Sequence, residues 1–566
     1  PVTLRQTTAG EDIAYSEESM STPVLDEPQD TRSEVVMKRR SSSSPPDLSV
    51  LQDRLPEWLK FPRVAAAFAA AFGGLFFVLS YPYLVPVDAN LTRVAHTDVW
   101  GHLSYARWMI SERALPTTEP LMPLAEGVPF VDTAWLSQLI GYGAYSQWGV
   151  VSLVGLHALG VTFIAALLAI MAFRKTGRLW FSILGSVVFL AVCFHPLQIL
   201  RPQLAGMVCF AALLALLVSG RRRRWDWFAV PALFALWANL HGSFSVGLAT
   251  LGLFAVGQMI DVWRRDRFRV RLLANPRAWR GVMLLQLGAA AALLNPYGLA
   301  LYAEVLSFGS NPNLLDLVEW DPLTIQLLHG QAAAVVVLAL AVVYRLSPRR
   351  IAAWEVLLLS GLGGLALWHQ RMIVWWAPVA GYCLALHLGA IWNRNWSAAE
   401  PSPRGGLWTV ATLGLCWIFF AYTPLGLTML HGGPQDQEQI ADRFERSVSA
   451  YTPIAAVDYL KRNPPQGQVF NTYEWGDYLL WAGPAEIEAF VNSHAHLVPE
   501  DVWRDYMSIA HAAEGWSRGL DRYSVNTVLL DKAGRGGLIR ELREHDEWTV
   551  DYEDRLAVIF VRKSPI

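Results

Sequence analysis

A few charged and histidine side chains in an otherwise apolar sequence have the chemistry to move protons and bind anions. Asp98 lies between His96 and His102. A carboxylate there can take a proton from a hydroxyl group, or it can cap the helix that follows, because aspartate often precedes an apolar periodic run. Position alone favours the cap. Histidine with nearby acids can also hold a divalent ion, but no fixed ligand spacing indicates one, and His102 is predicted to orient a ligand by hydrogen bonding.

Two arginines are candidates for binding a phosphate group. Arg201 lies two residues before Gln203, and Arg371 directly follows His369 and Gln370. A guanidinium binds two phosphate oxygens at once and its charge cannot be titrated away. Each side chain can instead be an interfacial arginine that reaches toward lipid headgroups. Function is the favoured interpretation for Arg201, whereas the two interpretations are level for Arg371.

Three further polar positions have both a functional and a structural interpretation. Asp132 can bind a ligand or a metal, but it also precedes a helical pattern, and the helix cap is favoured. His241 stands before Gly242 in a tight turn between two apolar stretches, which is equally a structural turn. Glu319 and Trp320 can contact a hydroxyl-rich ligand such as a sugar, although an aromatic residue at a membrane interface is ordinary.

The elements that position these side chains are predicted to cross a membrane. Of the 566 residues, 53% are hydrophobic and 17% are charged, which is too apolar for a soluble multidomain chain. A crossing takes about 20 residues. Eleven apolar stretches qualify, at 64–87, 150–173, 179–196, 202–220, 226–241, 242–262, 280–297, 326–345, 351–368, 371–393 and 407–430. The stretch 133–149 is amphipathic and is predicted to be an interfacial helix.

The positions of the basic residues predict how these helices are oriented across the membrane. Arginines cluster in five connections, at 174–178, 221–224, 264–280, 345–350 and 394–404. The positive-inside rule places all five on the cytoplasmic side. With eleven crossings, the N-terminus is then cytoplasmic and the C-terminal domain is extracytoplasmic. The outer connections are 88–149, 195–203, 239–243, 295–324 and 369–371, and they contain every candidate residue named above.

Three regions follow from this pattern. Residues 1–62 are predicted to be a disordered cytoplasmic tail, 63–430 a transmembrane domain with a first outer loop at 88–149, and 431–566 a small α/β domain. The first apolar helix is predicted to remain as an anchor, and the true start of the chain either precedes Pro1 or is Met20. Short apolar runs at 468–473, 489–491, 527–530 and 557–560 predict buried strands.

The cysteines and one turn of the C-terminal region complete the inventory. The four cysteines lie in apolar stretches without paired or metal-ligand spacing, which predicts small core residues and no disulfide. The segment 471–478 follows a strand and opens a helix, a place where ligands often bind, and it is equally a capped strand-to-helix turn.

Several short motifs together resemble the GT-C superfamily of membrane glycosyltransferases. The closer resemblance is to a group of large bacterial membrane proteins, and it spans roughly residues 64 to 531. The motifs are Asp98-x-x-x-His102-Leu103, Glu119-Pro120, Trp135-Leu136-Ser137-Gln138, Arg201-Pro202-Gln203, Asn239-Leu240-His241-Gly242, Asn295-Pro296-Tyr297-Gly298 and Glu319-Trp320. Related proteins carry an acid and an arginine where this chain has Asn492-Ser493-His494-Ala495-His496, so no charge role is predicted there.

The resemblance implies a fold, a reaction and a site. The fold is an α-helical polytopic GT-C-like membrane protein of about eleven transmembrane helices and interfacial helices, with a small C-terminal α/β domain. The reaction is transfer of a hexose or pentose from a polyprenyl-phosphate donor to an extracytoplasmic glycan, lipid or protein acceptor at the bacterial inner membrane. Asp98 is then the general base, and Arg201 binds the lipid phosphate. The substrate-binding residues are Gln203, His102, His241, Arg371, Asp132 and Glu319. A divalent metal is left open, and no nucleic-acid partner is implied.

Two other functions remain open at the level of sequence. A transporter or flippase of a lipid-linked sugar shares the phosphate-binding arginines, but it does not need Asp98 and is expected to carry internal repeats, which the hydropathy pattern lacks. A non-catalytic membrane scaffold predicts that polar replacements around Asp98 change nothing. With the resemblance included, catalysis is favoured over the cap for Asp98.

Overall fold

The computed structural model describes residues 55–81, 98–219, 224–265, 276–396, 406–434 and 436–566. The described part of the chain up to residue 431 is almost entirely helical. Its α-helices are α1 (Arg63–Leu79), α2 (Asp98–Glu112), α3 (Trp135–Trp148), α4 (Val150–Thr176), α5 (Leu179–Val192), α6 (Gln203–Val218), α7 (Asp226–Leu240), α8 (Phe244–Arg265), α9 (Pro276–Ala292), α10 (Leu299–Ser307), α11 (Leu328–Leu346), α12 (Ala353–Trp368), α13 (Ile373–Asn395), α14 (Gly406–Ala421) and α15 (Pro424–His431).

The chain is a multi-pass membrane protein by the length and hydropathy of these helices. Among the described residues, α4, α8, α11 and the helical segment Gln370–Asn395 are long and apolar enough to cross a membrane, and the bent pair α14 and α15 makes a fifth candidate. Shorter apolar helices are α1, α5, α6, α7, α12 and the segment Leu299–Ser310. Each of the eleven predicted stretches contains a helix, and the count of eleven crossings stays a prediction.

One predicted stretch needs a correction, and parts of two others lie outside the described residues. The stretch 407–430 is not one helix: α14 and α15 meet at an angle of 88°. Pro424 has no N–H group with which to continue α14, and Thr423 caps the new helix by accepting from the amide of Gly426 at 3.1 Å. The end of the first predicted stretch, 82–87, and most of the predicted tail, 1–54, lie outside the described residues.

The cysteine prediction is wrong at one position. Cys193, Cys209 and Cys383 are buried, as expected for small core residues, but Cys416 is exposed. The reason is that α14 lies at the outside of the bundle, where Trp417 is exposed as well. All four cysteines are free thiols.

The central helix of the bundle is α13. Within its apolar segment 89% of the residues are buried, and it packs against α5, α4, α12 and α11. The closest approach is to α5, where a Cβ added at Gly381 would lie 2.4 Å from the carbonyl oxygen of Gly185. Only glycine lets the two backbones approach this closely.

One end of the bundle is basic. Arg178, at the start of α5, donates to the side chain of Asn393 near the end of α13 at 2.9 Å, and Arg280 on α9 pairs with Asp226 on α7. Arg371 precedes the first residue of α13, whereas Arg394 lies in its last turn. The candidate site therefore lies at the end of α13 opposite to this basic end.

The C-terminal region is a small α/β domain, as predicted. Its elements are α16 (Gln437–Ser447), α17 (Ile454–Arg462), β1 (Gln468–Asn471), α18 (Tyr473–Ala482), β2 (Glu488–Ala489), α19 (Glu500–Ala510), α20 (Trp516–Arg522), β3 (Thr527–Asp531), α21 (Gly536–Glu544), β4 (Trp548–Glu553) and β5 (Ala557–Arg562). The strand order is β2-β1-β3-β5-β4. β1 pairs in parallel with β2 and β3, and β5 pairs antiparallel with β3 and β4.

Four of these strands match the predicted apolar runs, and β4 is absent from the prediction. Its sequence places Trp548, Val550 and Tyr552 at alternate positions, the pattern of a strand with one exposed face. A one-residue irregularity in the pairing with β5 occurs between Val550 and Tyr552. The strand lies at the edge of the sheet, so its apolar residues are too few to give the continuous run of the buried strands.

The close contact between α5 and α13 gives a first prediction. We expect Gly381→Ala to lower the stability of the protein by about 1–3 kcal/mol, because the added methyl group must push a backbone carbonyl aside. The measurement is the midpoint of thermal unfolding in detergent.

The matched control is Gly364→Ala on α12, where the new Cβ has nothing within 4 Å. That variant should melt no lower than the wild type, since alanine favours a helix over glycine. Equal midpoints for the two variants would contradict the packing described for α13.

Candidate functional site

Arg201 is the centre of a buried network of charges. It lies in the connection between α5 and α6, and its side chain is only 12% exposed. Its Nε atom is 2.6 Å from Oδ2 of Asp98, and its Nη1 atom donates to Oε2 of Glu319. The contact with Asp98 does not have the angle of a directed hydrogen bond. The pair is therefore held by charge.

Glu319 extends the network to a second arginine. Its Oε1 atom accepts from Nη1 of Arg371 at 2.8 Å, and the Arg371 guanidinium lies over the ring of Trp320, 4.8 Å from the centroid. Cations are attracted to the face of an indole. The four side chains Asp98, Arg201, Glu319 and Arg371 thus alternate in sign and carry no net charge together.

Backbone contacts hold Glu319 in place. It belongs to a short 3₁₀ turn, Val318–Trp320, in the connection between α10 and α11. The amide of Gln370 donates to the carbonyl of Asp321 at 2.8 Å, and Nδ1 of His369 lies 2.6 Å from the carbonyl oxygen of Trp320. The turn before α13 and the turn that carries Glu319 are consequently fixed to each other.

Asp132 and its hydrogen-bond partners form a second polar group. Its Oδ1 atom accepts from the amide of Ala134 at 2.9 Å and from Nε2 of Gln138 at 3.1 Å. The same amide nitrogen of Gln138 is 3.2 Å from Nδ1 of His102. Asp132 therefore caps the turn before α3, and its Oδ2 atom is buried without a hydrogen bond among the described residues. Burial raises the pKa of Asp132 to about 7.

All eight residues predicted for the site line one cavity of about 140 Å³. These are Asp98, His102, Asp132, Arg201, Gln203, His241, Glu319 and Arg371. Sequence spacing does not predict this convergence, because the residues come from five separate connections. Their roles in binding and catalysis stay predictions.

The C-terminal domain closes the cavity with residues that sequence reasoning missed. Ser493, His494 and His496 line it beside the residues of the helical bundle. The rings of His494 and His102 are 5.1 Å apart, and those of His494 and His496 are 5.7 Å apart. Burial lowers the pKa of His494 to about 4 and that of His496 to about 3, so both are neutral near pH 7. The only sequence signal for the two histidines is that they occupy alternate positions shortly after the strand β2.

Side-chain amides bind the connection before α11 to the C-terminal domain. Nδ2 of Asn313 donates to the carbonyl oxygens of Ala495 and Val498, both at 2.8 Å. Nδ2 of Asn311 donates to the carbonyl oxygen of His496 at 3.0 Å. These bonds hold the outer connection against the same loop that carries the cavity histidines.

A second cavity, of about 340 Å³, adjoins the first. Aliphatic side chains of α2, α3, α4, α6 and α7 form most of its wall, among them Leu103, Leu153 and Leu204. The two cavities share His102, Gln138, Arg201 and Pro202. Arg201 therefore stands at the border between a charged space and an apolar one.

Other sequence candidates have structural contacts. Nδ1 of His241 accepts from the amide of Ser243 at 3.0 Å, which closes the turn between α7 and α8.

Among the described residues there is no group of three or more His, Cys, Asp or Glu side chains that could hold a metal ion. His96 lies outside them. The divalent metal left open by the sequence is not tested by this geometry.

Comparison with known proteins identifies the fold. No protein-family model and no curated protein sequence matches the chain. The oligosaccharyltransferase of Archaeoglobus fulgidus tethered to an acceptor peptide containing the NVT sequon aligns with a TM-score of 0.52 and 12% identity, over 90% of this chain and 74% of that one. At this identity the similarity shows the fold alone, which this chain shares with the oligosaccharyltransferase.

Two further solved structures are similar. The apo form of the Archaeoglobus oligosaccharyltransferase has a TM-score of 0.48 and 13% identity, over 82% of this chain and 69% of that one. ArnT from Cupriavidus metallidurans bound to undecaprenyl phosphate has a TM-score of 0.48 and 11% identity, over 87% of this chain and 97% of that one.

The neutral histidines of the cavity predict a loss of stability in acid. In the unfolded chain a histidine takes up a proton near its ordinary pKa of 6.5, whereas folded His494 does so only near 4. Stability is then complete above pH 6.5 and falls as the pH decreases toward 4, by about 3 kcal/mol for His494 alone. The measurement is the melting midpoint in detergent between pH 7.5 and 4.5.

The variant His494→Gln with His496→Gln should reduce this pH dependence without abolishing it, because burial also lowers the pKa values of His102 and His241 in the same cavity. His511→Gln is the matched control, because His511 is exposed at the end of α19. A double variant that loses as much stability in acid as the wild type would show that these two histidines are not the cause.

Proposed function

We propose that this protein is a membrane glycosyltransferase that moves a sugar from a polyprenyl-phosphate donor to an acceptor outside the cytoplasm. One observation carries the proposal: a charged cavity and an apolar cavity meet at Arg201. A lipid-linked sugar has the same division, with an apolar chain, a phosphate and a polar sugar in that order. The GT-C fold supports the same assignment.

Each part of the donor has a complementary place. The first units of the lipid chain occupy the apolar cavity, and the phosphate lies beside Arg201 at the border. The sugar then extends into the charged cavity, toward Asp98 and Asp132. The acceptor enters on the side of Ser493 and His494, which the C-terminal domain supplies.

The transfer step needs one proton acceptor. The acceptor's nucleophilic oxygen forms a bond to the anomeric carbon of the sugar as the bond from that carbon to the phosphate oxygen breaks. The electron pair of the broken bond stays with the phosphate, and Arg201 stabilises its charge. The proton of the acceptor passes to the carboxylate of Asp98, which acts as the general base. The products are the glycosylated acceptor and polyprenyl phosphate.

Binding of the donor prepares Asp98 for this role. Without a ligand, Asp98 and Glu319 share Arg201. The donor phosphate is a diester with two free oxygens and one negative charge, like a carboxylate, and its charge grows as the bond to the sugar breaks, so it replaces Asp98 as a partner. Asp98 is then released to take the proton only when a donor is present. Glu319 keeps Arg371 in place during the exchange.

A first test compares variants of the two central residues with purified protein and a panel of polyprenyl-phosphate sugars. Asp98→Asn should lower sugar release by about 10²- to 10⁴-fold, because the general base is lost, while binding of polyprenyl phosphate persists. Arg201→Ala should weaken that binding, and Arg201→Lys should recover part of it, since lysine keeps the charge but not the two-point contact.

Asp442→Asn is the matched control, because Asp442 forms an exposed pair with Arg446. Full turnover by both Asp98→Asn and Arg201→Ala would eliminate the proposal. If Asp98→Asn moves the lipid-linked sugar across vesicle membranes at the wild-type rate and no variant releases sugar, the protein is a transporter.

We propose further that the basic end of the bundle faces the cytoplasm of a bacterial inner membrane, with the N-terminus on that side and the C-terminal domain outside. The positive-inside rule supports this orientation. In a background with Cys416→Ser, a cysteine at exposed Glu544 should react with a membrane-impermeant maleimide in intact spheroplasts, and one at exposed Arg350 only after lysis. The reverse pattern would overturn the orientation.

A further inference from the structure

A carboxyl group of the C-terminal domain lies next to the proposed general base. Asp477, in the second turn of α18, is completely buried, and α18 packs along α2. A Cβ added at Gly101 would lie 2.1 Å from Oδ1 of Asp477. Gly101 follows Asp98 by three residues, so the two positions share a face of α2. The Asp477 carboxyl thus occupies the space of a missing side chain, about one turn from Asp98.

The carboxyl group of Asp477 makes no evident hydrogen bond that would explain its burial. Neither oxygen makes a hydrogen bond of standard geometry in the described parts of the chain, although the hydroxyl and amide of Ser493 lie close enough to lower its pKa. A buried polar group without a hydrogen-bond partner destabilises a fold. Such a group in a native protein suggests a use at another stage.

The charges around Asp477 favour its neutral form. Asp98 and Tyr105 face it from α2, Arg201 faces it from the connection before α6, and Ser493 faces it from its own domain. Burial, and then the charge of Asp98, raise the pKa of Asp477 well above its ordinary value, while Arg201 lowers it. A neutral carboxyl group carries one O–H donor.

That donor meets a need of the proposed reaction. When Arg201 turns to the phosphate of the donor, the buried carboxylate of Asp98 loses its cation. A buried charge that loses its counter-ion is destabilised unless a hydrogen-bond donor takes the place of that ion. Gln138 and His102 already contact each other, whereas both oxygens of the Asp477 carboxyl lack a hydrogen bond in the described parts of the chain.

We propose, on the basis of the proposed function, that Asp477 is a positioning residue of the transfer site: its O–H group holds the carboxylate of Asp98 while Arg201 binds phosphate. The C-terminal domain therefore contributes to the transfer step itself, in addition to closing the cavity. Because Asp477 acts through Asp98, its loss should change kcat and the pH profile and leave the KM for the donor nearly unchanged.

The first arm of the test does not depend on turnover. Infrared spectroscopy of the whole protein in detergent at pH 7 should show protonated carboxyl absorption, to which Asp132 also contributes; Asp477→Asn should remove a component of it that Asp521→Asn leaves intact. Asp521 pairs with Arg562 at the surface of the same domain. Carboxyl absorption in Asp477→Asn equal to that of the wild type would overturn the inference, whether or not the protein transfers sugar.

The second arm measures sugar release with the donor that the wild type accepts. Asp477→Leu, which has no donor group, should lower kcat by about 10- to 100-fold with the KM for the donor within twofold. Asp477→Asn keeps an N–H donor but cannot ionise, so it should lower kcat less than Asp477→Leu at pH 7. It should also lack the alkaline decline that ionisation of Asp477 causes in the wild type.

The outcomes separate the two proposals. If Asp98→Asn is inactive but both Asp477 variants match the wild type in kcat and pH profile, this inference is wrong and the proposed function stands. If Asp98→Asn also has full activity, the proposed function itself fails. Melting midpoints of the Asp477 variants show whether folding is affected, and equal losses of kcat and stability in both variants would reduce Asp477 to a structural residue.

Discussion

The architecture depends on the mutual neutralisation of four buried charges. Asp98, Arg201, Glu319 and Arg371 come from four separate stretches of chain, and each would be strongly destabilising if left alone in a buried place. Their pairing therefore fixes the first outer loop, the α5–α6 connection, the α10–α11 connection and the start of α13 relative to one another. The cavity is the space that this arrangement leaves between them, so the geometry of the site and the packing of the helix ends are a single constraint.

The C-terminal domain packs against the four-residue charge network without adding charge to the cavity. The side chains that it directs into the cavity are a hydroxyl group and two histidines that burial keeps neutral, so the balance of the four-residue network is undisturbed. Its backbone carbonyls accept the amides of Asn311 and Asn313. The outer connection is thereby held to the domain through bonds that depend little on pH or salt, because amides and carbonyls do not titrate.

Much of the fold can be predicted from the sequence, whereas less of the site can be predicted in this way. The apolar stretches predict the helices because hydropathy acts locally, and Pro424 is a visible reason for the break between α14 and α15. Asp98 is recognisable by its place soon after the first predicted crossing, and Arg201 because arginines are rare in the outer connections that follow the first loop. Their ion pair is not predictable, because it joins residues 98 and 201 through the packing of helices that the sequence does not order in space. Asp477 lies in the segment 471–478, which the sequence marks as a candidate ligand-binding turn, but nothing distinguishes it from the other polar residues there until Gly101 is seen opposite it.

The contact between Gly101 and Asp477 links two positions that are far apart in the chain. A side chain at position 101 would displace the carboxyl group at 477, and without that carboxyl group position 101 is no longer restricted to glycine. In descendants of this protein the two sites are therefore expected to diverge as a pair. The helical bundle and its C-terminal domain then evolve as one unit, so that exchanging this domain for that of a distant homologue would bring in a mismatched half of the contact.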